Sequence, residues 1–200
     1  MNRCLHNLVC LLLGTMLLAL VGCGSTSPPV SYYSLASAEP PVQAGGKHNT
    51  LAVQVGPVTL PDVLKKSQIV FGNTGGSFQL SDQHRWSGEL DRDIARAIGE
   101  QLAVRLGTEQ IALFPAGQHL ELTHQVVLDV VAMEGVLGKE ATLVARWSVV
   151  DPKNKNARMT RRSTVGEQPT DNSHGAWVAA QRRNIAKLSE EIASAIITTR

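Results

Sequence analysis

The sequence predicts an α+β fold, an antiparallel or mixed sheet with two main amphipathic helices packed on one of its faces. Three observations lead there. Leu90, Ile94, Ile98, Leu102 and Leu106 recur at the three-four spacing of one helix face. Trp177, Val178, Gln181, Ile185, Leu188, Ile192 and Ile196 repeat that spacing near the C-terminus. Between the two helices, residues 122–165 read as three strands in meander order. Strands, a helix, a meander and a closing helix make a two-layer domain in which the helices cover the sheet.

The chain opens on a leader. Residues 1–22 hold one charged side chain, Arg3, and an apolar run over 8–21 broken only by Gly14 and Thr15. As a helix that run covers about 21 Å, short of the roughly 30 Å of a bilayer core, so it reads as a secretory signal and not as a permanent span. It ends in Leu20-Val21-Gly22-Cys23, which resembles the bacterial lipoprotein signal, where the Cys is diacylated on sulfur before cleavage on its N-terminal side. The expected organisation is therefore a signal peptide over 1–22, lipidated Cys23 with a flexible tether over 23–30, and one domain over 31–200. Cys4 and Cys10 leave with the leader, so Cys23 is the only remaining thiol and no disulfide can form within a mature chain. Gly24 stands where an Asp would favour the inner membrane, and the resemblance implies the inner leaflet of the outer membrane, with the domain facing the periplasm. Diacylglycerol and an N-acyl chain on Cys23 (the palmitate class of modification) would make the attachment effectively permanent; no other cofactor is expected.

The elements follow in order. Residues 24–29 cannot bury a core and read as tether. Residues 31–35, with Tyr32 and Tyr33, favour a short strand, and a loose stretch with paired Pro and paired Gly runs to Asn49. Leu51, Val53 and Val55 alternate as a buried strand that Gly56-Pro57 ends or bends. Residues 61–76 read as a long exposed excursion carrying apolar Ile69, Val70 and Phe71. Ser87 is the expected N-cap of the first helix and Gly107 its end. Arg92, Asp93, Arg96, Glu100 and Arg105 form its solvated face. In the meander, Leu122, Val126, Leu128, Val130 and Ala132 share one side of a strand, with Val127, Val131 and Met133 on the other. Ala141, Leu143, Ala145, Trp147 and Val149 face inward on the return, and Arg158, Arg161 and Arg162 suit an exposed third strand that must discourage self-pairing. The last helix starts near Asp171 or Ser173.

Composition narrows the function. Apolar residues at 43% and charged residues at 18% exclude a disordered chain, and a net charge of +2 lacks the basic surplus of a nucleic-acid binder. The histidines of the mature chain, His48, His84, His119, His124 and His174, match no zinc spacing. Asp82, His84 and Asp91 come nearest to a metal set, but split between a loop and a helix. His124 reads as structural, with its nitrogens satisfied by partial exposure at a strand end. No nucleophile elbow occurs, and 72–76 lacks the Lys-Ser/Thr ending of a phosphate loop. No catalytic constellation is visible, and the expectation is that the protein is not an enzyme.

Tyr32-Tyr33-Ser34-Leu35, Val55-Gly56-Pro57-Val58-Thr59-Leu60-Pro61, Leu64 with Gln68-Ile69-Val70, and Arg85-Trp86 leading into Leu90 resemble one family's order. It is the intermembrane transport lipoprotein family of paraquat-inducible protein C, the auxiliary lipoprotein component of ABC-type transport. Leu128-Asp129-Val130, Met133-Glu134 and Ala145-Arg146-Trp147 extend the resemblance over nearly the whole mature chain. Val63 replaces a commoner Tyr, Lys65-Lys66-Ser67 replaces Asp-Arg-Pro, and Gly88-Glu89 lacks the Pro often found before Leu90. The resemblance implies a periplasmic, outer-membrane-anchored accessory of an MCE-domain protein, in a system that moves lipids or other hydrophobic molecules between membranes and supports membrane integrity. Leu64, Gln68, Ile69, Val70 and Phe71 are the expected partner contact, on the ground that apolar groups exposed on a loop mark a contact surface; the alternative is that the apolar residues of this loop tuck back onto the sheet. Self-association into a ring would match the symmetry of an oligomeric tube. The alternative reading is a lipid-binding carrier that holds an acyl chain between sheet and helix.

Overall fold

A computed structural model describes Arg3 and residues 28–36, 50–74, 76–115 and 120–199. The expected signal peptide, Cys23 and the tether through Ser27 lie outside the described residues, as do His48 and His119. The first half of the chain forms β1 (Ser31–Tyr33), β2 (Val53–Thr59), a 3-10 turn (Asp62–Lys65), β3 (Gln68–Thr74), β4 (Ser77–Trp86) and α1 (Leu90–Leu106). The second half forms β5 (Ile111–Leu113), β6 (His124–Glu134), β7 (Ala141–Val150), β8 (Ala157–Glu167) and α2 (His174–Thr198).

The strands make two mixed sheets. Five of them run in the order β5-β2-β6-β7-β8, with β2 parallel to β5 and β6 and the remaining pairs antiparallel. α1 packs on β2 and β5, α2 packs on β7 and β8, and the helices pack on each other, so one sheet face is covered as the periodicity predicts. Leu90, Ile94, Ile98, Leu102 and Leu106 are all buried, as are Trp177, Val178, Gln181, Ile185, Leu188, Ile192 and Ile196. α1 ends at Gly107 in the left-handed conformation (φ 62°), whose N–H caps the Ala103 carbonyl. Ser173 caps α2 by accepting the Ala176 N–H at 3.0 Å.

The second sheet has the order β1-β4-β3 and corrects the reading of 61–76 as an exposed excursion. Ile69, Val70 and Phe71 lie on β3, which returns as β4 in an antiparallel hairpin. Gly72, Asn73 and Thr74 finish β3, and Gly76 stands just before β4. Gly72 and Gly135 bridge the two sheets, with Gly72 N–H donating to Gly135 O at 2.7 Å. A Cβ at Gly135 (φ 139°) would lie 2.2 Å from the Glu140 carbonyl oxygen, so only Gly serves there.

Three smaller expectations are also corrected. A bulge between Val130 and Ala132 in β6 reverses the alternation, so Met133 turns into the core and Ala132 becomes half-buried. α1 begins at Leu90 with Glu89 at the cap position and no side-chain cap, and Ser87 lies before the helix with its N–H donating to Tyr33 O at 2.8 Å. Asp93 does not belong to a solvated face. It is buried, and its carboxylate accepts Ser34 Oγ at 2.7 Å, Leu35 N–H at 2.5 Å and Ala36 N–H at 3.4 Å. Charge-assisted bonds of this kind contribute roughly 1.5–3 kcal/mol each, and removing the acceptor strands buried donors. Asp93→Ala is therefore expected to lower stability by about 3 kcal/mol, read from the urea midpoint. A midpoint equal to that of the parent protein would contradict this role.

Candidate functional site

Three surfaces concentrate polar chemistry or concavity. The first is a cleft of about 670 Å³ at the base of the β3–β4 hairpin. Its walls are Val58 to Leu60 at the end of β2, Lys65 to Ser67 after the 3-10 turn, and Trp86 to Asp91 at the entry to α1. Local chemistry explains its shape. β5 pairs only with Val53–Val55, and the register of β2 against β6 shifts between Val55 and Val58, so the outer edge of β2 past Pro57 opens on the cleft. Trp86 N–H donates to Ser67 O at 2.8 Å, which ties the two sides together at the bottom. Trp86 and Leu90 are themselves buried, and a Cβ at Gly88 would meet nothing within 4 Å. The charges near the mouth are balanced. Lys65 pairs with Asp62 at 2.7 Å, Arg92 pairs with Glu89 at 2.9 Å, and the Lys65 ammonium holds the Asp62 carboxyl below the usual carboxylate range. These pairs are exposed and add little to stability.

A second cleft, of about 660 Å³, lies where residues 120–124 meet 151–153 and Arg158. His124 sits there, buried, with its needs met inside the protein instead of by solvent. Arg158 donates to its Nε2 at 3.1 Å, so Nδ1 carries the proton toward Thr123 Oγ1 at 2.9 Å. Arg158 also pairs with Asp151 at 2.7 Å and donates to the Thr199 carbonyl at 3.2 Å. The Arg158 bond, followed by the Lys153 N–H, keeps the Asp151 carboxyl below its ordinary value. Of these contacts, the Arg158 bond to the Thr199 carbonyl ties the C-cap of α2 to the sheet.

The third is an aromatic cluster where α2 starts beside the three-stranded sheet. Between the pairs Gln68–Arg85 and Val70–Leu80, β4 carries extra residues, and this bulge re-aims His84. The His84 ring stacks on His174 with centroids 3.8 Å apart and planes 10° from parallel, and its Nδ1 lies 2.8 Å from Ser81 Oγ. Phe71 meets the edge of His174 at 5.0 Å, and Tyr33 lies 5.8 Å from His84. Asp82 and Asp91 do not join His84. No group of three metal-ligating side chains occurs among the described residues.

The residues expected at a partner surface separate. Leu64, Ile69 and Val70 are buried, with 4%, 0% and 2% exposure, while Gln68 and Phe71 are half-buried. A β-branched run pairs and turns inward when its neighbour strand is available, so Ile69 and Val70 belong to the core and not to an exposed loop. The exposed apolar groups of this region are Phe78 and Leu80 on the return strand, which sequence reasoning passed over. Their signal was the absence of any charge between Gln68 and Ser81.

A model of the ABC-type transport auxiliary lipoprotein component family matches residues 33–193. The chain belongs to that family. The match agrees with the resemblance read from Tyr32 to Trp147 and spans every described strand and helix except β1, of which it takes only Tyr33, and the last residues of α2. No curated protein matches the chain. Among solved structures, a crystal structure of an uncharacterized protein is 17% identical with a TM-score of 0.69, over 84% of this chain and 99% of its own. The protein XCC0632 from Xanthomonas campestris, a DUF330 member, is 14% identical with a TM-score of 0.66, over 84% of this chain and 96% of its own. Both share the fold. Among the described residues, no helix of this auxiliary lipoprotein is long and apolar enough to cross a membrane.

The His84–His174 stack makes stability depend on pH. Burial first, and the neighbouring His84 second, hold the His174 imidazole below its usual value of 6.5. Unfolded, the ring takes its proton near pH 6.5; folded, it does so only at lower pH. The unfolded state then binds more protons in that window, so stability falls as pH drops below about 6.5. His174→Phe keeps an aromatic ring against Phe71 and is expected to flatten the fall in urea midpoint between about pH 7 and pH 5. The same slope in both proteins would show that His174 does not carry it.

Proposed function

We propose that the protein is a non-enzymatic accessory of an MCE-type intermembrane transport system, held at the outer membrane by lipidated Cys23 and docking a periplasm-spanning partner. The observation that carries this reading is the family match across 33–193, set directly behind a tether and the Leu20-Val21-Gly22-Cys23 signal. The cargo class is lipid or another hydrophobic molecule, and the domain's part is positional. The titratable groups support this. Asp93, Asp151, Glu167 and His124 are each committed to bonds that hold elements together, with Glu167 bridging Arg183 at 2.6 Å and Lys187 at 2.7 Å.

The docking surface in this reading is the cleft at the hairpin base. Its apolar wall, the open edge of β2 past Pro57 and balanced mouth charges suit an extended protein segment that adds to the sheet edge. Gly88→Trp would fill that cleft without entering the core. In solubilised membranes the parent protein is expected to capture an MCE-domain protein, and Gly88→Trp to lower that capture about tenfold with an unchanged urea midpoint. Cys23→Ser is expected to abolish palmitate labelling and release the protein from the outer-membrane fraction. Full capture by Gly88→Trp would move the docking site elsewhere; no capture by the parent would contradict the partner class; a Cys23→Ser protein still in the outer-membrane fraction would contradict the anchor.

A further inference from the structure

We infer that the tip of the β3–β4 hairpin rests on the lipid bilayer beside the anchor, through Phe78 and Leu80. The inference rests on the lipid anchor at Cys23 and adds to it a second, non-covalent contact that orients the domain. β1 is parallel to β4, with Ser31 opposite His84 and Tyr33 opposite Trp86. Running back from Ser31 through Val30 to Pro28, the chain therefore heads toward the N-terminal end of β4, where the hairpin turns. Only four residues separate Cys23 from Pro28, a reach of at most about 18 Å over the five steps. An anchor on that short lead holds the bilayer at the hairpin end of the domain.

What lies at that end suits an interface. Phe78 is 39% and Leu80 45% exposed, neighbours two apart on one strand. Val30 and Tyr32 on the incoming segment are 39% and 65% exposed. Four of the seven large apolar side chains exposed among the described residues thus belong to the three-stranded sheet and its lead-in. A Tyr in this position has the amphipathic ring favoured at headgroup depth. From Gln68 to Ser81 the hairpin has no charged side chain, so its approach to the headgroups desolvates none. A protein-docking face of the same size would carry a rim of charges for steering; on the hairpin, charges begin only at Asp82 and Arg85 toward its base, where the cleft lies.

The mature chain offers a clean probe, because its one native thiol is acylated. Leu80→Cys in the full lipidated protein, labelled with nitrobenzoxadiazole and reconstituted in phosphatidylethanolamine/phosphatidylglycerol vesicles, is expected to shift its emission to the blue and be quenched by doxyl-labelled lipid. The same label at Ile197→Cys, also exposed but at the far end of α2, is expected to do neither. If the protein floats with the vesicles while the label at 80 stays as water-exposed as that at 197, the hairpin contact is refuted and the anchor stands. If the protein does not float, the anchor fails and the inference falls with it. A blue shift at 80 that requires an added MCE-domain protein, and not lipid, would assign the hairpin to a protein partner and overturn the proposal.

Discussion

The carboxylate of Asp93 gathers Ser34 Oγ and the backbone N–H groups of Leu35 and Ala36, and so fixes the segment that follows β1 to the first turn of α1. β1 is only three residues long and sits at a sheet edge, too short to hold its register alone. Two further bonds share the task. Ser87 N–H donates to Tyr33 O at 2.8 Å, and Arg182 on α2 donates to Ser34 O at 2.9 Å through Nε and 2.5 Å through Nη2. Together they bind the N-terminal strand to both helices. The direction in which residues 28–30 enter β1 is therefore a property of the fold.

From that constraint the placement of the two proposed surfaces follows. β4 is ten residues long and joins the hairpin turn to Trp86 at the cleft, a distance of about 30 Å along the strand. With β1 locked in parallel register, the chain leading into Ser31 runs toward the turn end of β4, and the cleft lies at the other end of that strand. The Gly72–Gly135 bridge couples the hairpin to the large sheet, whose own closure depends on Gln181 and Asn184 of α2. These buried amides donate to the carbonyls of Glu134, Ala141 and Thr142 at 3.3, 2.8 and 3.2 Å, around the β6–β7 turn. The three-stranded sheet is thus joined to the large sheet through the Gly72–Gly135 bridge.

Much of this was legible in the sequence because it rests on periodicity. The helix faces, the β6–β7–β8 meander, the Ser173 cap and the Gly107 stop are local patterns, and local patterns survive folding when the core demands them. Asp93 was not legible. Asp91 and Arg92 before it are charged, and the donors it satisfies lie nearly sixty residues away, so spacing gave no sign that it turns inward. The β3 strand was hidden for a different reason: Ile69-Val70-Phe71 is too short to separate a buried strand from a sticky loop, and the choice depended on β4 folding back over it. The cleft needed the β2 register shift and the two segments that flank it, none of which is adjacent in sequence. Phe78 and Leu80 became conspicuous only once their neighbours were seen to be buried.

The proposed orientation sets the hairpin turn at the bilayer and turns the cleft toward the periplasm. The most direct measurement is the height of the cleft above the membrane, by energy transfer from a fluorophore at Gly88→Cys in the lipidated full chain to acceptor headgroups in the vesicle surface. A domain standing on its hairpin places that fluorophore about 30 Å from the headgroups. Transfer as efficient as that expected for a label lying on the surface would mean that the cleft faces the lipid, and would contradict the orientation.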